Sequence, residues 1–163
     1  MADIQPRVKE FKMNQMLNIE GYQNLVGQTL SSPWLLLDQE RINAFADATL
    51  DHQFIHTDPE KAANTPFQGT IAHGLLTLSM LPYFSQQTLP KLNGLKMGVN
   101  YGYNKIRFLS PVKSGSSLRA HILIQSFTAL NATQYQLITQ VTIEIQGQEK
   151  PALVAEWINL LMA

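Results

Sequence analysis

Ile71-Ala72-His73-Gly74-Leu75-Leu76-Thr77-Leu78-Ser79-Met80-Leu81-Pro82-Tyr83 is the run whose reading decides how this chain folds. Ile71, Leu75, Leu76, Leu78, Met80 and Leu81 fall around the whole circumference of a helix, and only Thr77 and Ser79 interrupt them. A helix without a polar stripe is buried. The run therefore predicts a core helix over 71–83, kinked or ended at Pro82. Beyond Leu95 the apolar period becomes two and stays there. Leu95 to Leu109, Ser117 to Ala129, Thr133 to Gln146 and Ala152 to Met162 read as strands, parted by turns at Ser114-Gly115, Asn131-Ala132 and Gly147-Gln148. In the third strand Tyr135, Leu137, Thr139, Val141, Ile143 and Ile145 point one way, and Gln134, Gln136, Gln140, Thr142 and Glu144 the other. One face is buried and one solvated, as in an antiparallel sheet. These strands exceed the usual length of about 5–6 residues. An α+β architecture follows, with a long antiparallel sheet wrapped around a long buried central helix.

Upstream, Ser31 to Leu37 is a short strand with Pro33 at its first residue, and Asp38 caps a helix that runs to about Thr49. Leu50 to His56 is too short and irregular for an element of its own. Thr57-Asp58-Pro59-Glu60 then opens a brief helix, Pro59 to about Asn64, with proline at its first position. Thr65 to Thr70 is a turn. Residues 1–26 read as an N-terminal helical arm, with Val8, Phe11, Met13, Leu17, Tyr22 and Leu25 in a loose helical rhythm broken by Gly21. A packing helix and a partly ordered arm both fit that rhythm. Residues 27–163 read as one domain.

The composition excludes several classes. Apolar residues make up 45% and charged residues 15% of the 163, which suits a compact protein whose surface is partly covered. Lys plus Arg equals Asp plus Glu at 12 each, so no net field draws the chain to nucleic acid or a membrane. Without cysteine there is no disulfide framework, thiolate nucleophile or cysteine-based zinc site. The start, MADIQPRVKEF, lacks a basic segment followed by an apolar one, and no apolar run reaches about 18 residues. A cytoplasmic, soluble protein is the expectation, although the lack of cysteine suits other compartments too.

Chemistry concentrates just before the helix. Asp51 and His56 bracket a loop held between two capped helices, which is what fixed geometry on a loop requires. An acid, an imidazole and a helix N-terminus suit proton movement beside a carbonyl that takes negative charge. His52 and His56 stand four apart, a metal-ligand spacing on a helix, but they sit in a loop and no metal is expected. His73 reads as a packed, hydrogen-bonded support at the helix start, and Gln53 as an orienting neighbour. Lys96, Lys105, Arg107, Lys113 and Arg119 read as solvated strand charges.

Asp51-His52-Gln53-Phe54-Ile55-His56, Asp58-Pro59 and Ile71-Ala72-His73-Gly74 together resemble the signature blocks of the MaoC-like dehydratases. NYGYNKIRF from Asn100 and PVKSGSSLRA from Pro111 are similar to the NodN-like branch. The departures are Gln53 where many members have Asn, Phe54 where they have Pro, and Gln68 where Gly is expected. The resemblance covers about Gly27 to the C-terminus. It implies a hotdog fold, a homodimer and (R)-specific hydration of trans-2-enoyl-CoA to 3-hydroxyacyl-CoA, with the reverse dehydration. The substrate would be an acyl-CoA or acyl-carrier-protein thioester, and no cofactor is implied. Asp51 and His56 would handle the protons, with Gln53, Phe54 and His73 lining or supporting the pocket. The backbone N–H of Gly74 would meet the enolate-like oxygen, and glycine has no Cβ to hold the thioester away. Which of Asp51 and His56 activates water stays open. Thioester hydrolysis, or acyl-thioester binding without turnover, are the alternatives on the same fold.

Overall fold

The computed structural model describes residues 15–163. Its first elements are β1 (Met16–Leu17), α1 (Ile19–Gln23), β2 (Thr29–Ser31), β3 (Leu35–Leu37) and α2 (Gln39–Thr49). Three short helices follow, α3 (Phe54–Thr57), α4 (Pro59–Ala63) and α5 (Gly74–Ser79), then α6 (Leu81–Thr88) and β4 (Lys91–Leu92). Long strands complete the chain: β5 (Met97–Phe108), β6 (Ser116–Ala129), β7 (Gln134–Ile145) and β8 (Leu153–Met162). Of the expected N-terminal arm, residues 1–14 lie outside the described residues.

The main sheet runs β2-β6-β7-β8-β5, with β3 also on β6, and its pairings are antiparallel. The two-residue pair β1–β4 is parallel and separate. Alternation in β7 places Tyr135, Leu137, Thr139, Val141, Ile143 and Ile145 inside, as the sequence predicts. Register shifts between Ile124 and Ser126, and on β5 between Asn100 and Gly102 and between Tyr103 and Lys105, bend and twist the long strands. On the buried face Leu76, Leu78, Leu81 and Phe84 meet Leu118, Ile122, Val141, Ile143 and Trp157. This is the hotdog arrangement, an α+β fold in which the sheet holds the helical segment.

Two expectations need correction. The helix of 71–83 is not continuous. Ile71 forms an antiparallel bridge with Lys113, and Ala72 N–H donates to Val112 O at 2.7 Å, so α5 starts only at Gly74. It breaks at Met80 because Pro82 has no N–H for another turn. Proline suits the first turn of a new helix, so the chain resumes as α6. Nor is the segment apolar against protein on every side, since Leu75 is 60% exposed. The second correction concerns Pro33, which lies between β2 and β3 rather than opening one strand over Ser31 to Leu37.

On the outer face one carboxylate ties three elements together. Arg119 donates to Glu144 Oε2 through Nε (2.9 Å) and Nη2 (2.7 Å), and His121 Nε2 reaches the same oxygen at 2.7 Å. Ser31 Oγ lies 2.7 Å from the other ring nitrogen of His121, and Arg119 stacks on Trp34 at 4.4 Å. Burial alone would raise the pKa of Glu144, but the hydrogen bonds from His121 and Arg119 outweigh it and hold the carboxyl below its usual range. A depressed carboxylate contributes stability above its unfolded pKa of about 4.3, and that contribution is lost as pH falls through the lower folded value. Glu144→Gln should therefore lower Tm by about 2–4 °C at pH 7. The gap should begin to narrow as pH falls below about 4.3. Thermal scans of both proteins across pH check this, and a gap independent of pH would rule out the charge as its cause.

Candidate active site

Helix α2 ends at Leu50, whose φ of 60° is left-handed and whose side chain is 83% exposed. That conformation costs a non-glycine residue about 1–2 kcal/mol. It turns the chain sharply so that Asp51 leaves the helix toward the next segment. The loop then makes one helical turn, α3, where the sequence predicts no element. His56 N–H donates to Gln53 O at 2.9 Å, and Asp58 N–H to Phe54 O at 2.9 Å. Asp58 also caps α4 by accepting from Lys61 N–H at 3.0 Å, as expected. His56 is thereby fixed in the last turn of α3 and is 7% exposed.

Its ring is fixed as well. His56 Nδ1 lies 2.7 Å from the carbonyl oxygen of Ile71. A carbonyl can only accept, so Nδ1 carries a proton, and in the neutral ring Nε2 then presents a bare lone pair. His73 makes a complementary contact, its Nε2 2.9 Å from the backbone oxygen of Asp51 and 3.9 Å from Oδ2 of that carboxylate. The two imidazole rings stack with centroids 3.7 Å apart and planes 26° from parallel, and Phe45 flanks His73 at 5.0 Å. The Nδ1 of His73 is buried and has no partner among the described residues.

Asp51, His56 and His73 each offer one nitrogen or oxygen within 4.8 Å of the others. Stacked rings direct their in-plane lone pairs along nearly parallel planes, which do not converge on a tetrahedral ion. The arrangement suits proton exchange better. His52 faces solvent 3.7 Å from Asp47, away from this group.

Gly74 opens α5, so its N–H has no carbonyl one turn earlier in the helix to bond. A cavity of about 270 Å³ reaches it, lined by His56, Gly74, Thr77, Phe108, Ser110 and Ala152 among others. The Phe108 ring lies over Gly74, where a Cβ added to the glycine would stand 2.9 Å from Phe108 Cδ1. The missing side chain is what lets the ring approach. Asp51 is outside this cavity wall, with its side chain 55% exposed.

Neither Gln53 nor Phe54 lines this cavity. Gln53 acts through its backbone, accepting from His56 N–H and from Thr57 Oγ1, and its side chain has no hydrogen-bond partner among the described residues. Phe54 is 42% exposed and does not line the cavity. Gln68, where glycine is expected, adopts a left-handed φ of 55° ahead of Gly69 at 146°. That explains why glycine would suit the position.

Sequence reasoning passed over Phe108 and Thr77 as cavity-lining residues. Thr77 had a signal, a hydroxyl interrupting an apolar helix. Phe108 at the end of a strand had none. A second cavity of about 730 Å³, lined by Pro82, Leu89, Leu92, Trp157 and Leu161 among others, shares no lining residue with the first.

The family model for the MaoC like domain matches residues 22–145. Nodulation protein N of Rhizobium meliloti is 44% identical over 146 residues, spanning 88% of this chain and 91% of that protein. The 3-hydroxyacyl-thioester dehydratase Z of Mycobacterium tuberculosis is 47% identical over 133 residues, 82% of this chain and 85% of its own. Among solved structures, the (R)-hydratase from A. caviae superposes with a TM-score of 0.65 at 26% identity, covering 82% of this chain and 94% of that one. The MaoC-like dehydratase from Rhodospirillum rubrum gives a TM-score of 0.69 at 21% identity, over 84% and 92% of the two chains.

Proposed function

Since this chain belongs to the MaoC-like domain family, we propose that it hydrates trans-2-enoyl thioesters to (R)-3-hydroxyacyl thioesters, and catalyses the reverse dehydration. The observation that carries the reading is the ring of His56. Its Nδ1 is pinned to Ile71 O, and its bare Nε2 belongs to a residue lining the same cavity as Gly74.

Hydration removes a proton from water, joins the hydroxide to C3 and places a proton on C2. In between, the thioester oxygen carries enolate charge. His56 Nε2 takes the water proton, having a free lone pair where Nδ1 has none. Asp51, within 4.8 Å of the imidazole group, holds the same water and shares the return of the proton to C2. The Gly74 N–H, at the positive end of α5, donates to the enolate oxygen as it forms. His73 supports the pair by stacking on His56 and holding the backbone of Asp51. The substrate is an acyl-CoA or acyl-carrier-protein thioester, and the chemistry calls for no cofactor. Incubating the purified chain with trans-2-enoyl-CoA and following enoyl absorbance tests the reaction.

The cavity beside His56 is smaller than the roughly 300–1,000 Å³ of most small-molecule sites. One chain therefore shapes only part of the site. β5 is a sheet edge, paired on one side by β8, and its Met97 (52%), Tyr101 (64%) and Phe108 (50%) are exposed, as is Leu75 of α5. A long apolar edge left open invites pairing. A second copy of the chain covers it, making a homodimer. Light scattering at micromolar concentration should give twice the 18.3 kDa of one chain. Tyr101→Lys should shift the mass toward one chain and lower turnover together. A monomeric wild type would remove the dimer from the proposal. No described helix is long and apolar enough to cross a membrane, and the expected cytoplasmic setting is part of the same proposal.

A further inference from the structure

We propose that Gln39 is the positioning residue that keeps His56 in its reactive tautomer. Gln39 is the first residue of α2, 17 residues before His56 in the chain. Its Nε2 donates to the backbone oxygen of His56 at 2.7 Å and to Asn43 Oδ1 at 2.9 Å. Two oxygens facing the same end of the amide fix which end is nitrogen. The opposite end, Oε1, accepts from Thr70 Oγ1 at 2.5 Å. Thr70 is covalently joined to Ile71, whose carbonyl oxygen accepts the hydrogen bond from His56 Nδ1–H. The contacts therefore close a ring: Gln39 to the His56 backbone, the His56 imidazole to Ile71, Ile71 to Thr70, and Thr70 back to Gln39.

The ring of contacts has a consequence for chemistry. The tautomer of His56 depends on a carbonyl standing 2.7 Å from Nδ1. Gln39 grips both partners of that contact, one through its backbone and one through its neighbour. A second tie, Ile71 N–H to Ile55 O at 3.0 Å, also joins the two segments. Loss of Gln39 therefore loosens the imidazole without opening the fold. Thr70 is buried and Gln39 half-buried, so water replaces these bonds poorly.

The kinetic part of the inference rests on the hydratase reading, and the spectroscopic part does not. Gln39→Met keeps the length of the side chain and removes its hydrogen bonds. Nitrogen NMR of the four histidine side chains reads the tautomer of His56 directly. The wild type should show Nδ1 protonated and Nε2 bare, whereas Gln39→Met should show both tautomers. With trans-2-enoyl-CoA, kcat should fall by about 10-fold to 10²-fold, as for a misplaced catalytic group, with KM changed by less than about 3-fold. Thr70→Val cuts the same ring elsewhere and should shift the nitrogen pattern in the same direction. It also supplies the test if Gln39→Met does not fold. An unchanged His56 nitrogen pattern in the folded variant overturns the proposal, whatever happens to Tm. A wild type that turns over no enoyl thioester defeats the hydratase reading while leaving the NMR result to judge Gln39.

Discussion

His56→Asn should reduce hydration of a trans-2-enoyl-CoA by about 10²–10⁴-fold while the chain stays folded. The amide nitrogen of asparagine stands near where Nδ1 stands in histidine, so it can still donate to Ile71 O. Only the bare Nε2 is lost. His56→Ala removes both functions and the stacking partner of His73, leaving the buried Ile71 oxygen short of a donor. It should lose activity to the same degree and stability besides, by about 1–3 kcal/mol for the unsatisfied buried group. Comparing the two variants therefore separates proton transfer from packing. Asp51→Asn is cleaner still, because the side chain is mostly exposed and bears little on stability. A loss of turnover of about 10²–10⁴-fold with unchanged Tm is expected. Turnover close to wild type in Asp51→Asn would remove that carboxylate from the mechanism and leave the imidazole alone.

Gly74→Ala carries the second large effect. The added methyl would stand 2.9 Å from Phe108 Cδ1 and 3.0 Å from Cε1, closer than carbon atoms tolerate. The ring is half-exposed and can turn aside, so the fold survives and the site changes. Loss of a well-placed oxyanion donor costs about 10²–10³-fold in turnover, and a methyl that holds the thioester off the Gly74 N–H should cost as much. Gly74→Ala combined with Phe108→Ala decides between two causes. If the displaced ring were responsible, the double variant would recover most of the activity. Blocked access to the N–H predicts that it stays as poor as Gly74→Ala. Steady-state kinetics on the three variants, with Tm as control, distinguish the outcomes.

Much of the scaffold was legible because its signals are local. The alternation of Tyr135 through Ile145 reports one buried face, and the side chains of Asp38 and Asp58 take the backbone N–H groups that helix starts leave open. Where tertiary partners override local pattern, the sequence misleads. Ile71 and Ala72 continue a helical apolar rhythm, yet Lys113 and Val112 draw them into extended pairing. Leu75 reads as core and is exposed, and β5 is a sheet edge, which only the sheet order reveals. Asp51, His56 and Gly74 were singled out by residue type and by resemblance. Their geometry was not legible, since it depends on contacts such as Gln39 to Thr70, 31 residues apart, and Asp51 to His73, 22 apart. No periodicity encodes such pairings.

The most direct test is a stereochemical hydration assay on the purified chain across a series of trans-2-enoyl-CoA lengths. Loss of enoyl absorbance with formation of the (R)-3-hydroxyacyl thioester, strongly reduced in His56→Asn, is the result expected of an imidazole that lines the same cavity as Gly74. Enoyl thioesters left unchanged, or consumed with release of free thiol, would contradict it.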